Sequence, residues 1–166
     1  AGSGSAVGMV NMTMLRPRPL VQSGSFYGCI GQMLPAAMGA VVATGQPAML
    51  LDGDASFMMH LAEFETAVRY DMPLLVVVMN NESLGSEYYK LQAKKMNVEY
   101  SQIRTPDLGK VALAMGGKGA LCRNLDELLV AAKEWVAKPC PMIIDLRISR
   151  TVMSITHRRN RYGQDV

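Results

Sequence analysis

The sequence predicts an α/β domain, a parallel sheet flanked by helices on both faces, and three observations carry that expectation. Strand-like and helix-like stretches alternate along the chain, the order that a parallel sheet with crossover helices requires. One of them, LLVVVM at 74–79, is unbroken in its apolar character and rich in β-branched residues, as a strand covered on both faces must be. The 166 residues, 49% of them hydrophobic, suit one compact domain with a sizeable core.

The elements follow in order. Leu34, Ala37, Met38, Val41 and Val42 recur at helical spacing, after which PAMLLD reads as a short buried strand introduced by Pro47. Leu61, Phe64 and Val68 mark a second helix, taken to include His60, which stops near YDMP because Pro73 disfavours helix at the residue before it. Beyond the 74–79 strand, a long helix is expected from TPD, with Thr105 as cap, Pro106 in the first turn, and Gly116 and Gly117 as its end. GALCR is the next strand. Asn124, with Glu127 three residues on, reads as a capping box opening a helix whose apolar positions are Leu125, Leu128, Leu129, Ala132 and Val136. PMIIDLRI is the last strand. Residues 1–148 form the domain on this reading, and 149–166 a basic C-terminal tail. Met33, Met38, Met58, Met59 and Met79 are expected in the core.

Charge and cysteine usage exclude several classes. The formal charge is +3, with much of the excess in Arg147, Arg150, Arg158, Arg159 and Arg161. Only Tyr162 interrupts those charges with an aromatic ring, so they read as a solvated tail and not as a nucleic-acid arm. Cys29, Cys122 and Cys140 are odd in number and lack metal-ligand spacing, which favours a reduced, cytoplasmic setting. No apolar stretch has bilayer-spanning length and no basic leader opens the chain, so no membrane is expected as a partner. The first residue is Ala, not Met, and the chain is expected to be a fragment of a longer one.

In a parallel sheet, ligands gather at the carboxyl ends of the strands. Asp52 to Ser56 lies at one such end and MNNESLG, 79–85, at the next, so the two loops share a rim. A carboxylate, an amide oxygen and loop carbonyls form a hard-oxygen set suited to Mg²⁺ or Ca²⁺ and unsuited to zinc or copper. Amide groups at a helix start favour a phosphate beside it. Three other readings stand next to this one. Asp54 can cap its helix while Asn80 and Asn81 merely turn. LLDGDAS can be the Asp-x-Asp pattern of a haloacid-dehalogenase-type phosphatase, with Asp52 as nucleophile and Asp54 as acid and base, although that chemistry needs later acidic partners and the sequence offers Asp145 alone. The rim can also belong to a non-catalytic nucleotide-binding module, although GSGSAVG lacks the dinucleotide glycine spacing.

GDASF followed by NNESLG resembles the cofactor motif of thiamine diphosphate enzymes. With GCIGQMLPAAMGA at 28–40 and PMIIDLRI downstream, residues 23–148 resemble the C-terminal, diphosphate-binding domain of the acetolactate synthase, pyruvate decarboxylase and benzoylformate decarboxylase family. The resemblance implies thiamine diphosphate and Mg²⁺ as cofactors. It implies that Asp54, Asn81 and the Ser83 carbonyl hold the metal, and that Gly53, Ala55, Ser56, Leu84 and Gly85 surround the diphosphate. Gly28 and Ile30 would meet the aminopyrimidine, with Ile30 the wedge that bends the cofactor. Ala55 replaces the motif's second glycine, which is harmless provided its φ is negative. Ser3 and Ser5 are further candidates for phosphate contacts.

The implied activity is decarboxylation or carboligation of a small-molecule 2-oxo acid, acetolactate synthase-like, with simple decarboxylation as the alternative. No catalytic residue is expected in this chain. The activating glutamate would come from a pyrimidine-binding domain of the same or a neighbouring subunit, because Glu63, Glu65, Glu82 and Glu87 do not match its place, and a homodimer or homotetramer follows. His60 is expected to be structural, and Tyr88 and Tyr89 are candidates to line a substrate entrance.

Overall fold

A computed structural model of the chain describes residues 28–153 together with positions 19 and 158. Ser3, Ser5, Arg159 and Arg161 therefore lie outside the described residues. The elements are α1 (Met33–Thr44), β1 (Ala48–Gly53), α2 (Asp54–Met58), α3 (Glu63–Arg69), β2 (Leu74–Asn80), α4 (Gly85–Ala93), a 3-10 turn (Val98–Ser101), α5 (Leu108–Ala114), β3 (Lys118–Cys122), α6 (Leu125–Ala137) and β4 (Met142–Arg147).

The four strands form one all-parallel sheet in the order β1-β2-β4-β3. All carboxyl ends therefore lie along one edge, and the register sets Gly53 beside Met79 and Asn80 beside Arg147. Strand β2 is buried at every position, as its unbroken apolar run requires. On one face Leu50, Leu74, Val76, Val78 and Ile143 pack with Met33, Leu34, Met38 and Val41 of α1, with Phe57 and Phe64, and with Leu108 and Ala112 of α5. On the other, Leu75, Val77, Met142 and Ile144 meet Ala131 and Trp135 of α6. Helices thus cover both faces, and the expected α/β class holds. Phe57 and Phe64 are fully buried, each stabilising the fold by roughly 2–3 kcal/mol.

Two glycines set how closely α5 lies on β3. A Cβ on Gly109 would fall 2.8 Å from the Ala120 carbonyl carbon, and one on Gly119 would strike the backbone of Gly109. Any side chain at either place would push the helix off the sheet.

Several local expectations are corrected. The second helix is two, α2 and α3, joined by tight turns in which His60 N–H donates to Phe57 O and Glu63 N–H to His60 O. Those turns let both Phe57 and Phe64 face the core, and they place His60 in the junction. Helix α5 is capped by Asp107, whose carboxylate accepts the Lys110 N–H at 3.0 Å, and not by Thr105. The capping box at α6 is as expected, with Glu127 N–H on Asn124 Oδ1 at 2.9 Å and Arg123 N–H on Glu127 Oε2 at 2.7 Å. Its buried stripe is rotated, however: Ala131 and Trp135 face the sheet while Leu125, Leu129 and Val136 are exposed. The Trp135 ring fills that site and its Nε1–H finds the Cys140 carbonyl at 2.7 Å. Met33, Met38 and Met79 are core residues, whereas Met58 and Met59 are exposed.

Candidate functional site

Asp52 and Asp54 are separated by one residue and occupy different environments. Asp52 is the penultimate residue of β1 and is fully buried. Its Oδ1 accepts the Gly53 N–H at 2.9 Å, and its Oδ2 accepts the Ser56 hydroxyl at 2.8 Å. Ser56 Oγ in turn accepts the Gly31 N–H at 2.8 Å. Burial pushes the Asp52 carboxyl above its ordinary pKa, and the bonds from Ser56 and Gly53 oppose that rise. Asp52 ties strand end and helix start together and, through Ser56, the 28–31 loop. His60 packs beneath the same loop: Gly31 has φ +92°, and a Cβ there would lie 2.8 Å from the imidazole Cδ2.

Asp54 is the first residue of α2, and Gly53 holds the cap position, so the capping reading of Asp54 fails. The side chain is buried, and Oδ2 is the one buried side-chain nitrogen or oxygen among the described residues without a hydrogen-bond partner. Burial pushes its pKa up to about 6, while backbone amides of Ala55, Asp54, Glu82 and Ser83 pull it down. The action of Glu82 and Ser83 on this carboxylate places the second loop against the first. Such an orphaned oxygen is costly to bury, and a cation would supply its missing partner. Ala55 lies within α2 and is not among the residues with positive φ, so its methyl group strains nothing.

Asn80 and Asn81 also diverge. Asn81 Oδ1 accepts the Ser83 N–H at 3.1 Å and the Ser83 hydroxyl at 3.0 Å, a local turn that presents the amide beside a buried serine. Gly85 opens α4, and a Cβ there would come within 3.0 Å of Asn81 Nδ2. Asn80 points elsewhere. Its Nδ2 donates to Asp145 Oδ1 at 2.9 Å, and its Oδ1 accepts from Glu82 N–H and the Thr105 hydroxyl. Asp145 Oδ2 accepts the Leu108 N–H and Arg147 Nη2, both at 3.0 Å.

Two arginines then hold the loop from outside. Arg147 Nη1 donates to Glu82 Oε1 at 3.0 Å, while Arg150 donates through Nε to the Asn81 carbonyl and through Nη2 to the Glu82 carbonyl. The expected solvated role is wrong for both, whose side chains are 25% and 27% exposed. Sequence reasoning missed Asn80, Thr105, Asp145, Arg147 and Arg150 as a network. The available signal was a lone carboxylate within an apolar strand, which must find partners when buried.

The remaining candidates are placed as follows. Gly28, at φ +64°, and Ile30, 39% exposed, lie in the loop that Gly31 anchors to Ser56. Leu84 and Gly85 are half-buried where the second loop enters α4. Tyr89 is buried with its hydroxyl donated to the Val152 carbonyl at 2.9 Å, and Tyr88 packs edge-on against it. Among the described residues no three His, Cys, Asp or Glu side chains gather to hold a metal. A cation at Asp54 must therefore rely on neutral oxygens, and Asn81 and the loop carbonyls are of that kind. No helix among the described residues is long and apolar enough to cross a membrane.

Fold and rim define an α/β domain with an oxygen-lined site shared between the ends of two neighbouring strands. Residues 2–146 match the family described as the thiamine pyrophosphate enzyme C-terminal TPP binding domain, and the chain belongs to it. It is 34% identical over 143 residues to the mitochondrial acetolactate synthase catalytic subunit of Saccharomyces cerevisiae, covering 84% of this chain and 20% of that one. It is 31% identical over 138 residues to the acetolactate synthase of Mycobacterium bovis, covering 78% and 22%. Against the mitochondrial acetolactate synthase catalytic subunit of Aspergillus candidus it is 41% identical over 108 residues, 62% of this chain and 15% of the relative. The chain spans about a fifth of the length of these relatives. Membership of this family replaces the phosphatase and nucleotide-module readings.

Proposed function

We propose that this chain is the diphosphate- and Mg²⁺-holding part of an acetolactate synthase-like enzyme that decarboxylates and joins 2-oxo acids. The observation that carries the reading is the unpartnered, buried Asp54 Oδ2, with the backbone of Glu82 and Ser83 in the neighbouring loop close enough to act on the same carboxylate. Asp54, Asn81 and the Ser83 carbonyl are the proposed metal ligands. The backbones of Gly53, Ala55, Ser56, Leu84 and Gly85 are the proposed diphosphate cradle, and the first-turn N–H groups of α4 favour the anion. Ile30, an exposed apolar side chain on an anchored loop, is the proposed wedge, with Gly28 beside it at the aminopyrimidine.

Bound thiamine diphosphate would supply a thiazolium carbon that accepts the electron pair released when a 2-oxo acid loses CO₂. This chain's residues would neutralise the diphosphate, fix its position and hold the bent shape, while proton movement at the ring depends on a glutamate supplied elsewhere. Of the glutamates near the site, Glu65 pairs with Arg69, Glu82 with Arg147 and Glu87 with Lys90, and Glu63 is exposed at the start of α3. We therefore assign the activating glutamate to a pyrimidine-binding domain of the same or a neighbouring subunit, in a homodimer or homotetramer. Three free thiols, at Cys29, Cys122 and Cys140, fit a reducing compartment such as the cytoplasm.

Scanning fluorimetry tests the reading. Thiamine diphosphate with Mg²⁺ is expected to raise the melting temperature where NAD⁺ or ATP with Mg²⁺ does not, since a ligand stabilises only through its affinity for the native state. Asp54→Asn is expected to abolish that shift. Equal shifts with ATP, or none with thiamine diphosphate, would overturn the proposal.

A further inference from the structure

We infer that Arg150 is a positioning residue for the proposed cation loop, its guanidinium holding Glu82 in a left-handed conformation so that Asn81 and Ser83 stay against Asp54. The inference rests on the functional reading above and adds to it the device that shapes the site.

Three described residues other than glycine have positive φ: Asp71, Glu82 and Lys95. Asp71 and Lys95 follow the ends of α3 and α4, where left-handed residues are ordinary. Glu82, at φ +54°, follows a strand and has no such excuse. Its surroundings hold it there. Arg150 spans two successive carbonyls, Nε to Asn81 O at 3.0 Å and Nη2 to Glu82 O at 3.1 Å, and Nη2 also stands 3.7 Å from Glu82 Oε2. Ile103 N–H shares the Glu82 carbonyl at 3.0 Å, and Arg147 takes the other carboxylate oxygen. A planar fork can reach two carbonyls at once, which a lysine ammonium does not reproduce. Arg150 engages the carbonyls of Asn81 and Glu82 and leaves that of Ser83, the proposed third ligand. Groups that orient metal ligands in this way typically change metal affinity 10–100-fold when removed.

The experiment counts free Mn²⁺ by electron paramagnetic resonance, in titrations of the whole expressed protein at saturating thiamine diphosphate; Mn²⁺ replaces Mg²⁺ on oxygen ligands. Arg150→Met is expected to weaken Mn²⁺ binding about tenfold or more. Adding Glu82→Gly to that variant should recover most of the loss, because glycine adopts positive φ without a clamp. Arg150→Lys, which keeps the charge and guards against a misfolded Met variant, should show an intermediate loss with the circular dichroism spectrum unchanged. Binding within twofold of wild type in Arg150→Met, or no recovery in the double variant, overturns the positioning role while leaving the cofactor assignment intact. Absence of Mn²⁺ binding by the wild-type protein overturns the functional reading, and this inference with it.

Discussion

Asn80 and Asp145, 65 residues apart in sequence, share a 2.9 Å hydrogen bond between the ends of adjacent strands. The bond joins the loop that follows β2 to the start of α5, because the second Asp145 oxygen accepts the Leu108 N–H. Both side chains are buried, and Asp145 accepts from the Asn80 amide and the Leu108 N–H, while its third partner, Arg147, also reaches Glu82 and the Pro106 carbonyl.

Replacing Asp145 with Ala is therefore expected to destabilise the protein by about 3 kcal/mol, since it strands the Asn80 amide and the Leu108 N–H and removes one of the two carboxylates that Arg147 pairs with. Asp145→Asn, which keeps one acceptor, should lose less. Urea unfolding at neutral pH measures both, and equal stability of Asp145→Ala and wild type would show that water replaces the network.

The contact between α5 and β3 gives a second expectation. Gly119→Ala inserts a methyl group into the Gly109 backbone, where no side chain can yield, so a loss of roughly 3 kcal/mol or failure to fold is expected. Gly39→Ala, on α1 with open space at its Cβ, serves as the control and should be neutral or slightly stabilising. Thermal unfolding of the pair separates crowding from a general effect of losing glycine.

Local signals explain what the sequence made legible. The β2 run and the flanking strands are read from β-branched apolar stretches, and the rim follows because a parallel sheet puts Asp54 and the Asn81 loop at neighbouring strand ends. Long-range pairing was not legible. Nothing near Thr105 says that its hydroxyl is drawn to Asn80, 25 residues away, leaving Asp107 to cap α5. The rotation of α6 has the same origin: Leu125, Leu129 and Val136 have helical periodicity, but Trp135 offers more apolar surface and takes the sheet side. Arg147 and Arg150 looked like tail charges because their partners, Glu82 and the Asn81 carbonyl, lie more than 60 residues upstream.

Ser56 links Gly31 to Asp52 through one hydroxyl, accepting from the first and donating to the second. Ser56→Ala leaves a buried acceptor and an amide without partners, and a loss of about 2 kcal/mol is expected. The more specific outcome is local: hydrogen exchange at the Gly31 amide should accelerate while amides in β2 keep their protection relative to global stability. Unchanged exchange at Gly31 would mean that the loop is held by other contacts.

The pKa of Asp54 makes stability depend on pH in the sense opposite to that of a paired carboxylate. Burial raises it from 3.8 to about 6 in the metal-free fold. Below about pH 4 the folded and unfolded chains both carry the proton, and the group contributes nothing. Between about pH 4 and 6 the unfolded chain has released it and the folded chain has not, so stability falls by about 1.4 kcal/mol per pH unit. Above pH 6 the folded form ionises too, and a deficit of roughly 3 kcal/mol remains. Asp54→Asn removes that titration. In urea unfolding without divalent cation, the variant and wild type are expected to be similarly stable at pH 4, with the variant ahead by up to about 3 kcal/mol at pH 7.5. Mg²⁺ with thiamine diphosphate should reverse the order at pH 7.5, because only the wild-type carboxylate can ligate the ion, and that advantage should shrink as the pH falls through 6. Parallel stability curves for the two proteins in the absence of metal would show that the carboxyl ionises normally and that its unpartnered oxygen is solvated.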